Sequence, residues 1–173
     1  MELGSNGAVA AVPGVIAVDH VGLAVVDLDQ AVAFYSRAFG MVEVHREVNE
    51  DQGVAEAMLA PAGQASDVQG GGAHGPSSAS RDLSAKPTQV QLLAPLRPDS
   101  AIGKFLDRSG AGIQQVAYRV SDIDAVCEHL RSQGIRLLYE TPRGGTAGSR
   151  INFVHPKDAM GVLVELVEPA VSS

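Results

Sequence analysis

Tryptophan is absent, cysteine occurs once, and aromatic residues make up only 4% of this 173-residue chain. A lone thiol, Cys127, cannot close an internal disulfide, so the fold rests on its core and hydrogen bonds, and the cytoplasm is the default expectation. Cys127 stands at helical spacing from Ile123 and Leu130, a packing position. Basic residues are also scarce, 13 against 20 acidic ones, for a net charge of −7. That balance argues against a nucleic-acid partner, which needs a basic face; a small anion needs only a few local Arg or Lys. No apolar run approaches the roughly 20 residues that span a bilayer. The segment Met1–Val15 holds Glu2 but no Lys or Arg, so no secretory signal is expected. With 45% apolar and 19% charged residues, one domain, or two small similar ones packed together, is expected.

What the chain does contain is one pattern written twice. The first copy opens Asp19-His20-Val21-Gly22-Leu23-Ala24-Val25-Val26-Asp27, the second Gln114-Gln115-Val116-Ala117-Tyr118-Arg119-Val120-Ser121-Asp122. The copies also close alike, Val90-Gln91-Leu92-Leu93-Ala94-Pro95 against Val164-Glu165-Leu166-Val167-Glu168-Pro169. The repeat therefore pairs His20 with Gln115 and Gln91 with Glu165. Two half-domains facing each other would bring these four side chains together at one metal-sized site.

Each copy reads β-α-β-β-β. After an arm over residues 1–15, Ile16–Val25 alternates as a strand with His20 on its apolar face. Asp27 or Asp29 caps a helix carrying Leu28, Ala31, Val32, Tyr35 and Phe39 at helical spacing, and Gly40 stops it. Val42–Val48, Val54–Ala60 and Thr88–Leu93 read as strands. Between the last two, Ala62–Pro87 is rich in Gly, Ala and Ser and is expected to be a mobile loop. A connector over residues 96–111 includes a short helix near Asp99–Leu106. In the second copy, residues 112–169, Ile113–Val120 is a strand. Ser121 with Asp124 resembles a capping box, and Ile123, Val126, Cys127 and Leu130 form a helical stripe ending at Gly134. Three strands follow at Arg136–Tyr139, Arg150–Val154 and Gly161–Val167. Residues 170–173 form a tail.

Glu165 shares a strand face with Leu163 and Val167. A carboxylate in such company is costly unless it is paired or bound to a cation. Gln91 occupies the same slot in the first copy, and His20 also lies among apolar neighbours. Singly, each reads as a satisfied polar residue of a half-buried sheet; together they suggest a shared site.

The doubled module, with polar residues on its first and last strands, resembles the vicinal oxygen chelate superfamily: an α+β fold of two βαβββ modules forming a curled mixed sheet around a metal site. Within it the chain is most similar to the methylmalonyl-CoA epimerase family, over nearly all of Ile16–Pro169. The segments Asp19-His20-Val21, Glu47–Glu56 and Val90–Pro95 carry the likeness. The most specific are Arg150-Ile151-Asn152-Phe153-Val154-His155-Pro156-Lys157 and Gly161-Val162-Leu163-Val164-Glu165-Leu166. The resemblance implies a divalent cation held by His20, Gln91, Gln115 and Glu165, with Gln115 where the family usually has His. One His, two Gln and one Glu suit cobalt first, then zinc, nickel or manganese.

The implied reaction is epimerisation at C2 of an acyl-CoA thioester. A cation stabilises the enolate, and two bases, Glu56 and Glu165, work on opposite faces. For the CoA moiety, Arg143 and Arg150, with Lys157, flank a loop whose Gly144 and Gly145 would let a thioester approach the backbone. His155 reads as structural. His45, His74 and His129 are not expected to be ligands. A homodimer is expected from the fold, with no membrane partner. Two rivals share the pattern: a glyoxalase I-like isomerase and a metal-free small-molecule binder.

Overall fold

In the computed structural model, residues 14–65 and 87–170 are described; nearly all of the expected arm, the bulk of the 62–87 loop and most of the tail lie outside the described residues. Strand β1 (Val15–Ala24) leads into a turn at which the Asp27 carboxylate accepts from the Gln30 N–H at 2.9 Å, capping α1 (Leu28–Phe39). Gly40 closes that helix at φ 63°, a left-handed conformation that glycine adopts without strain. Strands β2 (Met41–Asn49), β3 (Val54–Pro61) and β4 (Gln89–Pro95) complete the first module. Helix α2 (Ala101–Ser109), capped by Ser100, connects to β5 (Gly112–Val120), α3 (Ile123–Ser132), β6 (Arg143–Gly144), β7 (Arg150–Val154) and β8 (Leu163–Glu168).

All eight strands join one mixed sheet in the order β2-β3-β4-β1-β5-β8-β7-β6. The duplication is visible in its register. Gly22 of β1 lies beside Gln91 of the parallel β4, and Ala117 of β5 lies beside Glu165 of the parallel β8. At the centre β1 and β5 run antiparallel, with Gly22 opposite Gln115 and His20 opposite Ala117. Each pairing maps onto its counterpart when the two copies are exchanged.

Alternation along the strands divides the two faces. Helix α1 covers one face of β3 and β4 through Leu28, Ala57, Leu59, Leu92 and Ala94. Helix α3 covers the same side of the second half through Ile123, Val126, Cys127, Leu130, Val154 and Leu166. The alternate residues, among them Glu56, Gln91 and Glu165, therefore point to the other face. That face curls around the cavities of the site, with α2 packed at its edge on Ala24, Val54 and Leu93.

Three expectations are corrected. Arg136–Tyr139 is not a strand: it makes a single bridge, Leu137 to Val154, and the outer strand is the short β6. The Asn152 side chain takes over the pairing there, accepting from Tyr139 N at 3.2 Å and donating to Tyr139 O at 3.0 Å, so the ladder does not continue. The cap of α3 is Asp122, which accepts from Ala125 N at 2.9 Å, while the Ser121 N–H is engaged by Gly14 O. Arg150, expected near the CoA moiety, lies on the helix side of β7 and pairs with Asp124 at 2.8 Å. The same alternation that sends Ile151 and Phe153 into the cavity turns Arg150 out of it.

Candidate active site

The four repeat-related residues meet. His20 Nε2 lies 3.1 Å from Glu165 Oε2, Gln115 Nε2 donates to the same Glu165 oxygen at 2.5 Å, and it also reaches Gln91 Oε1 at 3.2 Å. All four side chains are buried. They come from β1, β4, β5 and β8, the four central strands, where the sheet is held on both sides. Gly22 makes room for them: a Cβ there would stand 2.6 Å from Gln115 Cγ.

Two β-bulges shape the cup. Between Val18 and His20 the register slips so that Asp19 is the extra residue of β1, and between Gly22 and Leu23 it slips so that Gln114 is the extra residue of β5. The first bulge lets the Asp19 carboxylate reach His20 Nδ1 at 3.0 Å. The other Asp19 oxygen accepts from Arg119 Nε at 2.6 Å, and Arg119 is fully buried. Burial alone would pull the His20 imidazole down, but Asp19 and Glu165, one on each ring nitrogen, outweigh it and raise it to about 9. Burial pushes the Asp19 carboxyl up, yet His20 and Arg119 bring it down to about 2.

Glu56 joins the cup from β3. Its Oε2 accepts from Gln91 Nε2 at 2.8 Å, and its Oε1 accepts from the Thr146 hydroxyl at 2.6 Å. Burial, with the Glu47 charge across the β2–β3 pair and the Glu165 charge adding to it, pushes the Glu56 carboxyl up to about 7 despite the Thr146 bond. A carboxylate at that value is matched to proton transfer near neutral pH. Glu47 is in turn held by His45, 2.5 Å away, and by the Ala147 N–H at 3.3 Å.

Two cavities open on this face. One, of about 340 Å³, is lined by Glu56, Gln91, Gln115 and Glu165 on one side and by Leu138, Arg143 and Phe153 on another. The other, of about 510 Å³, is lined by Asp19, His20, His45 and Glu165. Thr146, on the turn Gly145–Ser149, borders both. Arg143 stacks over the Tyr139 ring at 4.1 Å beside the first cavity. Gly145 also lines it, whereas Gly144 is exposed on the sheet edge. His155 caps a short 3₁₀ turn, accepting from Lys157 N at 3.2 Å. His74 lies outside the described residues.

The residues present fit a cation. Two donors about 2.1 Å from one ion and at right angles stand about 3 Å apart, which is close to the 3.1 Å between His20 Nε2 and Glu165 Oε2. A glutamine presents oxygen or nitrogen by a half-turn of its amide, so Gln115 can turn Oε1 inward. Among the described residues no group of three or more His, Cys, Asp or Glu is set to hold a metal, so the two amides are indispensable to the donor set. The His20 proton, facing Glu165, occupies the place that a cation's charge would take.

Sequence reading missed Asp19, Arg119, Thr146 and Gly22. The signal for Asp19 was its position directly before a buried histidine. Thr146 had none, since 90 residues separate it from Glu56.

A model of the Glyoxalase/Bleomycin resistance protein/Dioxygenase superfamily matches residues 19–153. The structure is similar to that of methylmalonyl-CoA epimerase from Mycobacterium tuberculosis, with 52% identity, a TM-score of 0.77 and 95% of each chain covered. It is also similar to a variant of Streptomyces coelicolor methylmalonyl-CoA epimerase in complex with 2-nitronate-propionyl-CoA, at 41% identity and a TM-score of 0.75, over 91% of this chain and 99% of that one. An ethylmalonyl-CoA/methylmalonyl-CoA epimerase from Cereibacter sphaeroides is 31% identical over 150 residues, 86% of this chain and 94% of that protein. Among the described residues no helix is long and apolar enough to cross a membrane.

Proposed function

Because this chain belongs to the methylmalonyl-CoA epimerases of the Glyoxalase/Bleomycin resistance protein/Dioxygenase superfamily, we propose that it interconverts (2R)- and (2S)-methylmalonyl-CoA through its two buried carboxylates, Glu56 and Glu165. The observation that carries this assignment of residues is their placement on one cavity with the Gln91 and Gln115 amides between them. His20, Gln91, Gln115 and Glu165 would hold a divalent cation, cobalt first and zinc, nickel or manganese next by donor type. When bound, the cation supplies Lewis-acid stabilisation of the negative charge that develops on the thioester oxygen.

The chain's own groups carry the proton. C2 lies between a thioester and a carboxylate, so its C–H bond is acidified. One carboxylate takes that proton as the C–H electron pair moves into the thioester to form the enolate. The other, on the opposite face and in its carboxylic acid form, gives its proton to C2 as the pair comes back and is left as the carboxylate. Glu56 is suited to the first role in one direction and to the second in the other, because burial places its affinity for a proton near neutrality. Thr146 and Gln91 fix the two Glu56 oxygens, so this base does not have to be oriented during the reaction. At the cavity wall, Arg143 offers a cation to the phosphates of CoA, and Gly145 leaves room for the thioester arm.

The test is exchange. Cobalt-loaded protein incubated with either isomer in deuterated water should interconvert the isomers and place deuterium at C2. Glu56→Gln should lower that rate about 10²–10⁴-fold and leave cobalt content unchanged. Absence of both interconversion and exchange with every divalent ion would refute the assignment.

A further inference from the structure

Asp19 and Gln114 are the same position of the repeat, each the residue before a cup side chain and each the extra residue of a β-bulge. The duplication thus built the same kink twice and filled it with different groups. The difference follows the cup side chains. Gln115 has no second ring nitrogen to place, and its neighbour is the neutral Gln114. His20 has one: with Nε2 facing Glu165, Nδ1 points away from the cup and into buried surroundings, where it needs an acceptor. Asp19 Oδ1 stands 3.0 Å from it. The carboxylate is itself held by Arg119, whose Nε donates to Oδ2 at 2.6 Å from within the core. Each Asp19 oxygen therefore has a separate partner, and the carboxylate plane is set by both.

We propose that Asp19 is a positioning residue of the cation site, and that Arg119 anchors it. By accepting from Nδ1–H, Asp19 holds the neutral His20 ring in the tautomer whose Nε2 lone pair faces the cup. It also fixes the ring's rotation and raises its donor strength. Arg119 balances the carboxylate's charge, so that Asp19 can act on Nδ1 without becoming a ligand. The inference rests on the reading of the cup as a cation site and not on the identity of the substrate.

Cobalt titration, followed by the visible absorption of the bound ion, tests it on the full chain. Four proteins are compared: wild type, Asp19→Asn, His20→Gln and the double variant. Asp19→Asn should weaken cobalt binding about 10–100-fold. In the His20→Gln background, where no ring remains to be oriented, the same substitution should change the affinity less than twofold. An equal loss in both backgrounds, or no loss in either, overturns the proposal, because a merely structural Asp19 acts whatever residue stands at position 20. A second measurement needs no variant: the ring ¹⁵N shifts of His20 in zinc-loaded wild type should report Nδ1–H, and an Nε2–H ring overturns the proposal. Wild type that binds neither ion sinks the cation reading and this inference together. Tight binding without epimerisation sinks only the substrate assignment.

Discussion

Substituting Gly22 by Ala adds one methyl group at the centre of the cup, and the structure sets the consequence. The new Cβ would lie 2.6 Å from Gln115 Cγ, 3.1 Å from Gln115 Cδ and 3.3 Å from Leu93 Cδ1. Carbon atoms rest about 3.5–4.0 Å apart, so Cγ must retreat by about 1 Å. It has nowhere to go without dragging the Gln115 amide off Glu165 and Gln91, which it meets at 2.5 Å and 3.2 Å. Overpacking of this kind costs about 1–3 kcal/mol of stability, and a 1 Å displacement of a site group costs about 10²-fold in rate. Gly22→Ala should therefore melt lower, bind cobalt more weakly and lose about two orders of magnitude in kcat/KM, read by C2 deuterium exchange. Gly22→Ala combined with Gln115→Ala removes the colliding side chain, and its melting temperature should return to that of Gln115→Ala alone. A Gly22→Ala protein with wild-type kcat/KM and wild-type cobalt affinity would show that Gln115 is not seated as described.

Cys127 is buried under α3 with the Asn152 amide 3.5 Å from its sulfur, and burial pushes its thiol pKa up; native protein at pH 8 should therefore resist a soluble thiol reagent that labels it fully in denaturant. Asp158 is held well below the usual carboxylate range by the Arg136 guanidinium and backbone N–H. A depressed folded value stabilises above the unfolded value of 3.8 and fades as pH falls below it. The melting-temperature gap between wild type and Asp158→Asn should accordingly be small at pH 6, in keeping with an exposed pair, and narrow progressively as pH falls below about 4; a gap that widens on acidification contradicts this.

The duplication was legible because each half needs the same alternation to bury one sheet face, and alternation is a local property. It located β1, α1, β7 and the two closing strands to within a residue or two, and it named the four cup residues as repeat partners before any contact was known. The failures have local causes as well. Arg136–Tyr139 has the composition of a strand, but the partner that β7 offers it is the Asn152 side chain rather than a continuous ladder. Ser121 and Asp122 are both good caps, and only the Ser121 bond to Gly14, contributed from before β1, selects the second. Arg150 was placed by its nearness in sequence to the glycine loop, while its direction was settled by one step of strand parity.

Periodicity and repetition were enough to place His20, Gln91, Gln115 and Glu165 on the first and last strands of the two halves, since each half carries its own copy of the instructions. What surrounds those residues was decided by the pairing of the halves. The slips between β1 and β5 bring Asp19 onto His20 and Arg119 onto Asp19, contacts between residues up to 100 positions apart. The turn at Thr146 crosses from the second half to close on Glu56 in the first. Bulges, crossings and the absence of a Cβ at Gly22 leave no period in the chain, because each answers to a neighbour that only the folded sheet supplies.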